Sequence, residues 1–326
     1  MKVLLAENAG FCFGVKRAVD EAIKTQKQFN KKIYTLGPLI HNGDVVKYLE
    51  ENSIYAIDIN DIDTLTKGDV ILIRSHGVSK KTFDDLNEKG LIVINATCPF
   101  VTNIQQKVNK FSNEGYKIVI LGDEKHPEVV GINGWCNNDA IITNDGSFKD
   151  HLPNKVCVVS QTTEKEENWD KTINNLSKES IKELKSFNTI CAATEERQKS
   201  VYDLSKNVDF MIVIGGKHSS NTTKLYQIAK SNCDNTIHIE NASELPKDLL
   251  ENKNIKYLIF KSKRECYDIR IIDAKLNFKK EIVIDDIKQA RKVSQIEDLL
   301  YVDTHGKLCC TKTLESAINL VKYNEI

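Results

Sequence analysis

Ile92-Val93-Ile94-Asn95-Ala96-Thr97-Cys98-Pro99 decides the fold of this chain. A β-branched run ends in a polar turn, a cysteine follows, and a proline opens the helical pattern Val101–Asn113. A strand that hands over to a helix in this way is half of a βαβ unit. Two other cysteines stand in the same order of elements. Cys12 lies in Ala9-Gly10-Phe11-Cys12-Phe13-Gly14, between the run Lys2–Leu5 and the helical pattern Val15–Lys27. Cys191 lies in Thr189-Ile190-Cys191-Ala192-Ala193-Thr194, before the pattern Glu195–Lys206. The separations, 86 and 93 residues, are each the size of one small α/β domain.

Outward from these points, β-branched runs recur at Ile33–Leu36, Val70–Ile73, Ile118–Leu121, Val156–Val159, Phe210–Ile214 and Ile255–Phe260. Helical periodicity covers Lys80–Lys89, Trp169–Ser186 and Thr222–Ser231 between them. The alternation predicts an α/β fold with mostly parallel sheets, in three similar small domains. These are 1–97 with Cys12, 98–190 with Cys98, and 191–280 with Cys191, the last atypical after 255. Residues 281–326 are a C-terminal tail with no assigned role.

The 326 residues carry 46 basic and 46 acidic side chains, 40% hydrophobic and 28% charged. That balance excludes a disordered chain, and the lack of basic excess argues against a nucleic-acid surface. No window approaches 18 uninterrupted apolar residues, so no membrane span is expected. The apolar start is too short for a signal peptide, which points to a cytoplasmic protein whose nine cysteines are not disulfides.

A thiolate at a helix start is stabilised by the positive end of the helix. Three such thiolates meeting at a three-domain centre would suit an iron–sulfur cluster with one iron left open, because full ligation takes four cysteines. Read singly, each cysteine is equally a buried small hydrophobe. Cys136, Cys157, Cys233, Cys266, Cys309 and Cys310 share no such context. Cys157 and Cys233 read as core or surface residues, and Cys309 and Cys310 as surface thiols.

A second set of loops looks built for an anion. His41, His76 and His126 each follow a predicted strand, beside glycine or proline turns. Gly215-Gly216-Lys217-His218-Ser219-Ser220-Asn221-Thr222 opens a helix with amides and hydroxyls that can meet phosphate oxygens, although it lacks Walker spacing. Gln161-Thr162-Thr163 adds hydroxyls at the end of another strand, and Lys217 reads as solvated. Glu128, two residues after His126, is the acid candidate, since a carboxyl in a closed pocket holds its proton to higher pH.

Taken in order, Gly10-Phe11-Cys12-Phe13-Gly14-Val15, Arg17-Ala18, His41-Asn42, Ser75-His76-Gly77-Val78, Ala96-Thr97-Cys98-Pro99, His126-Pro127-Glu128, Gln161-Thr162-Thr163, Cys191, Ala193-Thr194, Arg197-Gln198 and Ser219-Ser220-Asn221 resemble a known family. It is the 4-hydroxy-3-methylbut-2-enyl diphosphate reductases, the LytB/IspH enzymes of the methylerythritol phosphate route to isoprenoids, over about residues 1–250. The resemblance implies a trefoil-like α/β fold around a 4Fe–4S cluster ligated by Cys12, Cys98 and Cys191. It implies diphosphate contacts from His41, His76, His126, Ser219, Ser220 and Asn221, Thr162 near the substrate hydroxyl, and Glu128 as proton source. The implied reaction is reductive dehydroxylation to isopentenyl and dimethylallyl diphosphate, with ferredoxin or flavodoxin as donor.

The resemblance stops at the run Ile255–Phe260. The family's Thr-Ala-Gly-Ala-Ser-type loop is replaced by Phe260-Lys261-Ser262-Lys263-Arg264-Glu265-Cys266, which reads as divergence or a frame disruption. Ser262 is the nearest serine by position. Two other classes therefore stand beside the reductase. One is a degenerate or sensor-type cluster protein without turnover; the other is a sugar-phosphate hydrolase or lyase with a single nucleophilic cysteine.

Overall fold

A computed structural model describes residues 4–246, 257–261, 267–271, 276–280, 282–283, 286–303 and 305–325. By its internal contacts the chain divides into a unit Leu4–Asn241 and a unit formed by Met1–Val3 with Ala242–Ile326. The division falls inside the expected third domain, 191–280, and groups its end with the tail 281–326.

The larger unit is built on three parallel sheets. The first lobe runs α1 (Phe13–Phe29), β1 (Ile33–Leu36), α2 (Gly43–Glu51), β2 (Ile54–Ile57), β3 (Val70–Ile73), α3 (Lys80–Glu88) and β4 (Ile92–Asn95), with strand order β2-β1-β3-β4. The second runs α4 (Pro99–Asn113), β5 (Lys117–Leu121), α5 (Pro127–Asn133), β6 (Ile141–Thr143), β7 (Lys155–Ser160), α6 (Glu166–Leu176) and β8 (Glu183–Ser186), in the equivalent order β6-β5-β7-β8. The third contains α7 (Ala192–Ser205), β9 (Met211–Ile214), α8 (Ser220–Asn232) and β10 (Thr236–Ile239), with β10 parallel to β9. Each lobe therefore begins with a helix that one of the three cysteines precedes.

Central strands are apolar on both faces because helices cover both. Val70, Ile71, Leu72 and Ile73 are fully buried, as are Val119, Ile120 and Leu121 in the second sheet. On one face of the first sheet Val70 and Leu72 pack with Ala18, Ala22 and Leu49; on the other Ile71 and Ile73 pack with Leu86. The arrangement points the carboxyl ends of β1, β3, β5, β7 and β9 into loops that carry the histidines, Thr162 and Ser219.

Two expectations need correction. Leu4 and Leu5 belong to no strand and are 42% and 58% exposed, so Cys12 follows a loop; Lys2 and Val3 lie outside the described residues. The helix expected over Trp169–Ser186 ends at Leu176, with Ser177 as its C-cap. Beyond it Glu183–Ser186 pairs with β7 as an edge strand whose four residues are all exposed, where charged side chains suit an open edge.

The smaller unit pairs β11 (Tyr257–Lys261), β12 (Tyr267–Ile271), β13 (Leu299–Val302) and β14 (Leu308–Thr311) in the antiparallel order β11-β12-β14-β13. Helices α9 (Ile287–Ser294) and α10 (Leu314–Glu325) contribute Ala290, Ala317 and Leu320 to a core with Ile269, Phe278 and Leu299. The tail thus shares one core with the end of the expected third domain. Cys309 is fully buried there, and Cys310 is 4% exposed and disulfide-bonded, so neither is a surface thiol. Ser262 and Cys266 lie outside the described residues.

Candidate functional site

Cys12, Cys98 and Cys191 are the N-caps of α1, α4 and α7, each with non-helical backbone and without a side-chain capping bond. Pro99 at the first turn of α4 fixes that helix start. The Cys98 N–H donates to Ser75 O at 2.9 Å, and the Cys191 N–H to Thr162 O at 3.1 Å. Two thiols are therefore tied through their backbones to the loops after β3 and β7. Burial holds the Cys98 and Cys191 thiols above the usual range, against opposing hydrogen bonds near the helix starts. Cys12 and Cys191 act electrostatically on Cys98, and Cys12 on Cys191, so the three thiols stand near one another. A Cβ on Gly14 would lie 2.8 Å from Cys98 Sγ and 3.9 Å from Cys12 Sγ, so only glycine leaves that space to sulfur. Cys191 also lines a cleft of about 700 Å³ with Pro99, Phe100, Lys107 and Phe187.

The histidines converge likewise. Ring centroids are 5.4 Å apart for His41 and His76, 5.2 Å for His76 and His126, and 6.4 Å for His41 and His126. One nitrogen from each lies within 4.8 Å of the others. His126 caps α5, its Nδ1 accepting the Glu128 N–H at 3.2 Å, which leaves the proton on Nε2 as a donor. Burial is the main cause that lowers all three imidazoles, His126 to about 4 and His76 well below its ordinary value, and Arg74 pushes each the same way. At neutral pH the pocket presents neutral rings.

Glu128 is 2% exposed and faces Thr162. Its two carboxylate oxygens accept the Thr162 N–H at 2.6 Å and the Thr162 hydroxyl at 2.7 Å. Burial raises the carboxyl above the usual carboxylate range, although these bonds and Lys224 pull the other way. The hydroxyl of Thr162 is thus a one-atom bridge through which a proton can pass to or from Glu128.

The third lobe closes the pocket with the start of α8. Ser219 caps that helix by accepting the Thr222 N–H, and half-buried Asn221 lies in its first turn. Ser220 Oγ meets Thr163 Oγ1 at 3.0 Å and accepts from Gln161 Nε2 at 3.2 Å. A Cβ on Gly216 would stand 1.9 Å from the His41 carbonyl, so glycine is what lets this loop reach the first lobe.

Two residues of this neighbourhood, Lys224 and Arg74, escape a sequence reading, and a third, Gln161, was picked out only with its neighbouring hydroxyls. Gln161 is fully buried and joins the second lobe to the third. Lys224 pairs with buried Glu164 at 2.7 Å and acts electrostatically on both His126 and Glu128; its signal was the four-residue step from Ser220, one helical turn on. Arg74 sits two residues before His76 and looks like any surface arginine. Lys217, by contrast, is exposed.

Parallel-sheet lobes that bring three helix-capping thiols together, and three imidazoles and a protonatable carboxyl into one pocket, define an α/β protein of the redox and anion-binding class. The LytB protein family model matches residues 3–258, and the chain belongs to that family. It is 65% identical over 254 residues to the 4-hydroxy-3-methylbut-2-enyl diphosphate reductase of Clostridium perfringens (strain SM101 / Type A), covering 78% of this chain and 90% of that protein. Against the reductase of the same name from Thermoanaerobacter sp. (strain X514) it is 47% identical over 283 residues, 86% of this chain and 98% of the other. A solved (E)-4-hydroxy-3-methyl-but-2-enyl diphosphate reductase, the terminal enzyme of the non-mevalonate pathway, matches with TM-score 0.58 and 41% identity over 76% of this chain and 89% of its own. The E-1-hydroxy-2-methyl-but-2-enyl-4-diphosphate reductase from Plasmodium falciparum gives TM-score 0.68 at 28% identity, over 74% and 77%. The trefoil-like α/β fold is that of these structures.

Proposed function

We propose that the chain reduces 4-hydroxy-3-methylbut-2-enyl diphosphate, with two electrons and two protons, to isopentenyl or dimethylallyl diphosphate and water. The observation that carries this reading is the joint placement of the Glu128–Thr162 pair, the imidazole trio and the thiol trio on one set of loops, in a chain 65% identical to a protein of that name. Three soft donors at helix starts, with Gly14 leaving room beside two of the sulfurs, fit a cluster held by Cys12, Cys98 and Cys191. Bound there, a 4Fe–4S cluster would supply electrons and one iron with an open coordination position.

The rest is work for the chain's own side chains. His41, His76 and His126 hold the diphosphate, with the Nε2–H of His126 as a donor and Ser219, Ser220 and Asn221 at the start of α8 meeting further oxygens. Thr162 Oγ1 orients the substrate hydroxyl and hands it a proton from Glu128, so that the C–O bond breaks and the oxygen leaves as water, while the second proton ends on a carbon of the allylic product. Burial of Glu128, Gln161 and Thr162 excludes bulk solvent from that transfer. Ferredoxin or flavodoxin is the donor we assign, and the cleft beside Cys191 offers it an approach. Among the described residues no helix is long and apolar enough to cross a membrane, and the cytoplasm is the compartment proposed.

Anaerobic purification followed by assay with the hydroxymethylbutenyl diphosphate and a strong one-electron reductant tests the proposal. Brown protein that forms the two isoprenoid diphosphates supports it. Brown protein that binds substrate without turnover overturns it in favour of a degenerate cluster protein.

A further inference from the structure

Among the described residues four buried side-chain polar atoms have no hydrogen-bond partner, and three of them cluster: His41 Nε2, His76 Nδ1 and Arg74 Nε. Two are on the imidazoles of the anion pocket. The third is on a guanidinium whose side chain makes no hydrogen bond and faces no carboxylate among the described residues. Arg74 is half-buried with its Nε out of reach of water, and a desolvated charge without a counter-ion is costly, so native proteins pair it or give it a ligand. Arg74 is close enough to all three histidines to act on each of them. Space is kept for it: Gly37, at φ +72°, would place a Cβ 2.6 Å from Arg74 Nη1. The other half-buried cation nearby, Lys224, is already paired with Glu164 at 2.7 Å.

We propose that Arg74 is a further substrate-binding residue: it supplies the permanent positive charge of the pocket and turns its unused Nε–H to a phosphate oxygen. The inference rests on the diphosphate reading of the site and adds what the neutral imidazoles and hydroxyls lack. Those groups satisfy oxygens but leave the charge of the ligand unmet. A guanidinium meets both, since its planar donors match phosphate geometry. The fixed charge also makes the pocket selective by charge, favouring a diphosphate over a monophosphate of the same shape.

The test measures binding of inorganic pyrophosphate and of inorganic phosphate to the cluster-loaded protein by calorimetry, at two salt concentrations, alongside turnover. Arg74→Gln is expected to weaken pyrophosphate about 10- to 100-fold, as for a lost charged hydrogen bond. The preference over phosphate and the salt dependence should shrink with it, while KM for substrate rises and kcat stays within a few-fold. Wild-type pyrophosphate affinity in a folded Arg74→Gln protein overturns the inference, and so does a wild-type chain that binds no pyrophosphate. If Arg74→Gln does not fold, Arg74→Lys decides, because it keeps the charge and removes the Nε donor. About 3- to 10-fold weaker pyrophosphate then supports the contact, and unchanged affinity rejects it. Failure of the reductase reading looks different: pyrophosphate binds in an Arg74-dependent way, but reductant and substrate give no product.

Discussion

The first and second lobes share a frame and differ in chemistry. Both order their strands second-first-third-fourth, and both release the chain from the first strand through the same spacing, Leu36-Gly37-x3-His41 and Leu121-Gly122-x3-His126. The third lobe repeats it as Ile214-Gly215-x3-Ser219. His126 and Ser219 then cap α5 and α8, and His41 immediately precedes the Asn42 cap of α2. After the third strand the lobes part. The first presents His76, and the second presents Thr162, which engages Glu128. The frame fixes where a group stands, and the residue at that place fixes its proposed part, holding the ligand for His76 and passing a proton for Thr162.

The comparison would break most completely at the thiols. Cys12→Ser, Cys98→Ser and Cys191→Ser should each lose the bound iron and sulfide and all activity, with circular dichroism unchanged. Metal analysis showing iron retained in any one of them would remove that lobe from the ligand set. Next in size is the proton path. Glu128→Gln should cut kcat about 10²- to 10⁴-fold, the range for a general acid, and leave pyrophosphate affinity near wild type. A matching fall in affinity would make Glu128 part of the holding machinery proposed for His76.

Smaller effects sharpen the contact between lobes. Gly216→Ala drives a methyl against the His41 carbonyl and should destabilise the chain by about 1–3 kcal/mol in urea unfolding, as overpacking does, while weakening pyrophosphate. The smallest expected effect concerns acid. His126 falls from about 6.5 unfolded to about 4 folded, so the fold prefers its neutral ring. Its contribution is complete above pH 6.5 and is lost as pH drops toward 4, and burial of His41 and His76 acts in the same direction. The melting temperature of the ligand-free protein should fall over that window. His126→Asn, which can still cap α5, should fall less; an equal fall would assign the effect elsewhere.

How much could be read beforehand follows from burial. The inner strands β1, β3, β5 and β7 are apolar runs and were legible. Of the edge strands, β4 and β9 kept β-branched runs and were legible too, whereas β2, β6, β8 and β10 were not. Exposed residues such as Tyr55 and Leu184 interrupt the apolar pattern in β2 and β8. The loops of the site announced themselves through glycine, proline and histidine, and the groups chosen there do meet: Glu128 with Thr162, and the histidines with one another. Arg74 and Lys224 stayed hidden because a charged residue carries no mark of its own burial. The tail was illegible for a different reason: its core draws on both short strands and helices that are spread over more than 40 residues and show no repeat.

Two peptide hydrogen bonds, Cys98 N–H to Ser75 O and Cys191 N–H to Thr162 O, join each of these thiols to the loop that touches the ligand. In the proposed reaction one bond ties a cluster thiol to the loop that holds the diphosphate, and the other ties one to the loop that delivers the proton. A chain that sets one of these loops wrongly misplaces a thiol with it.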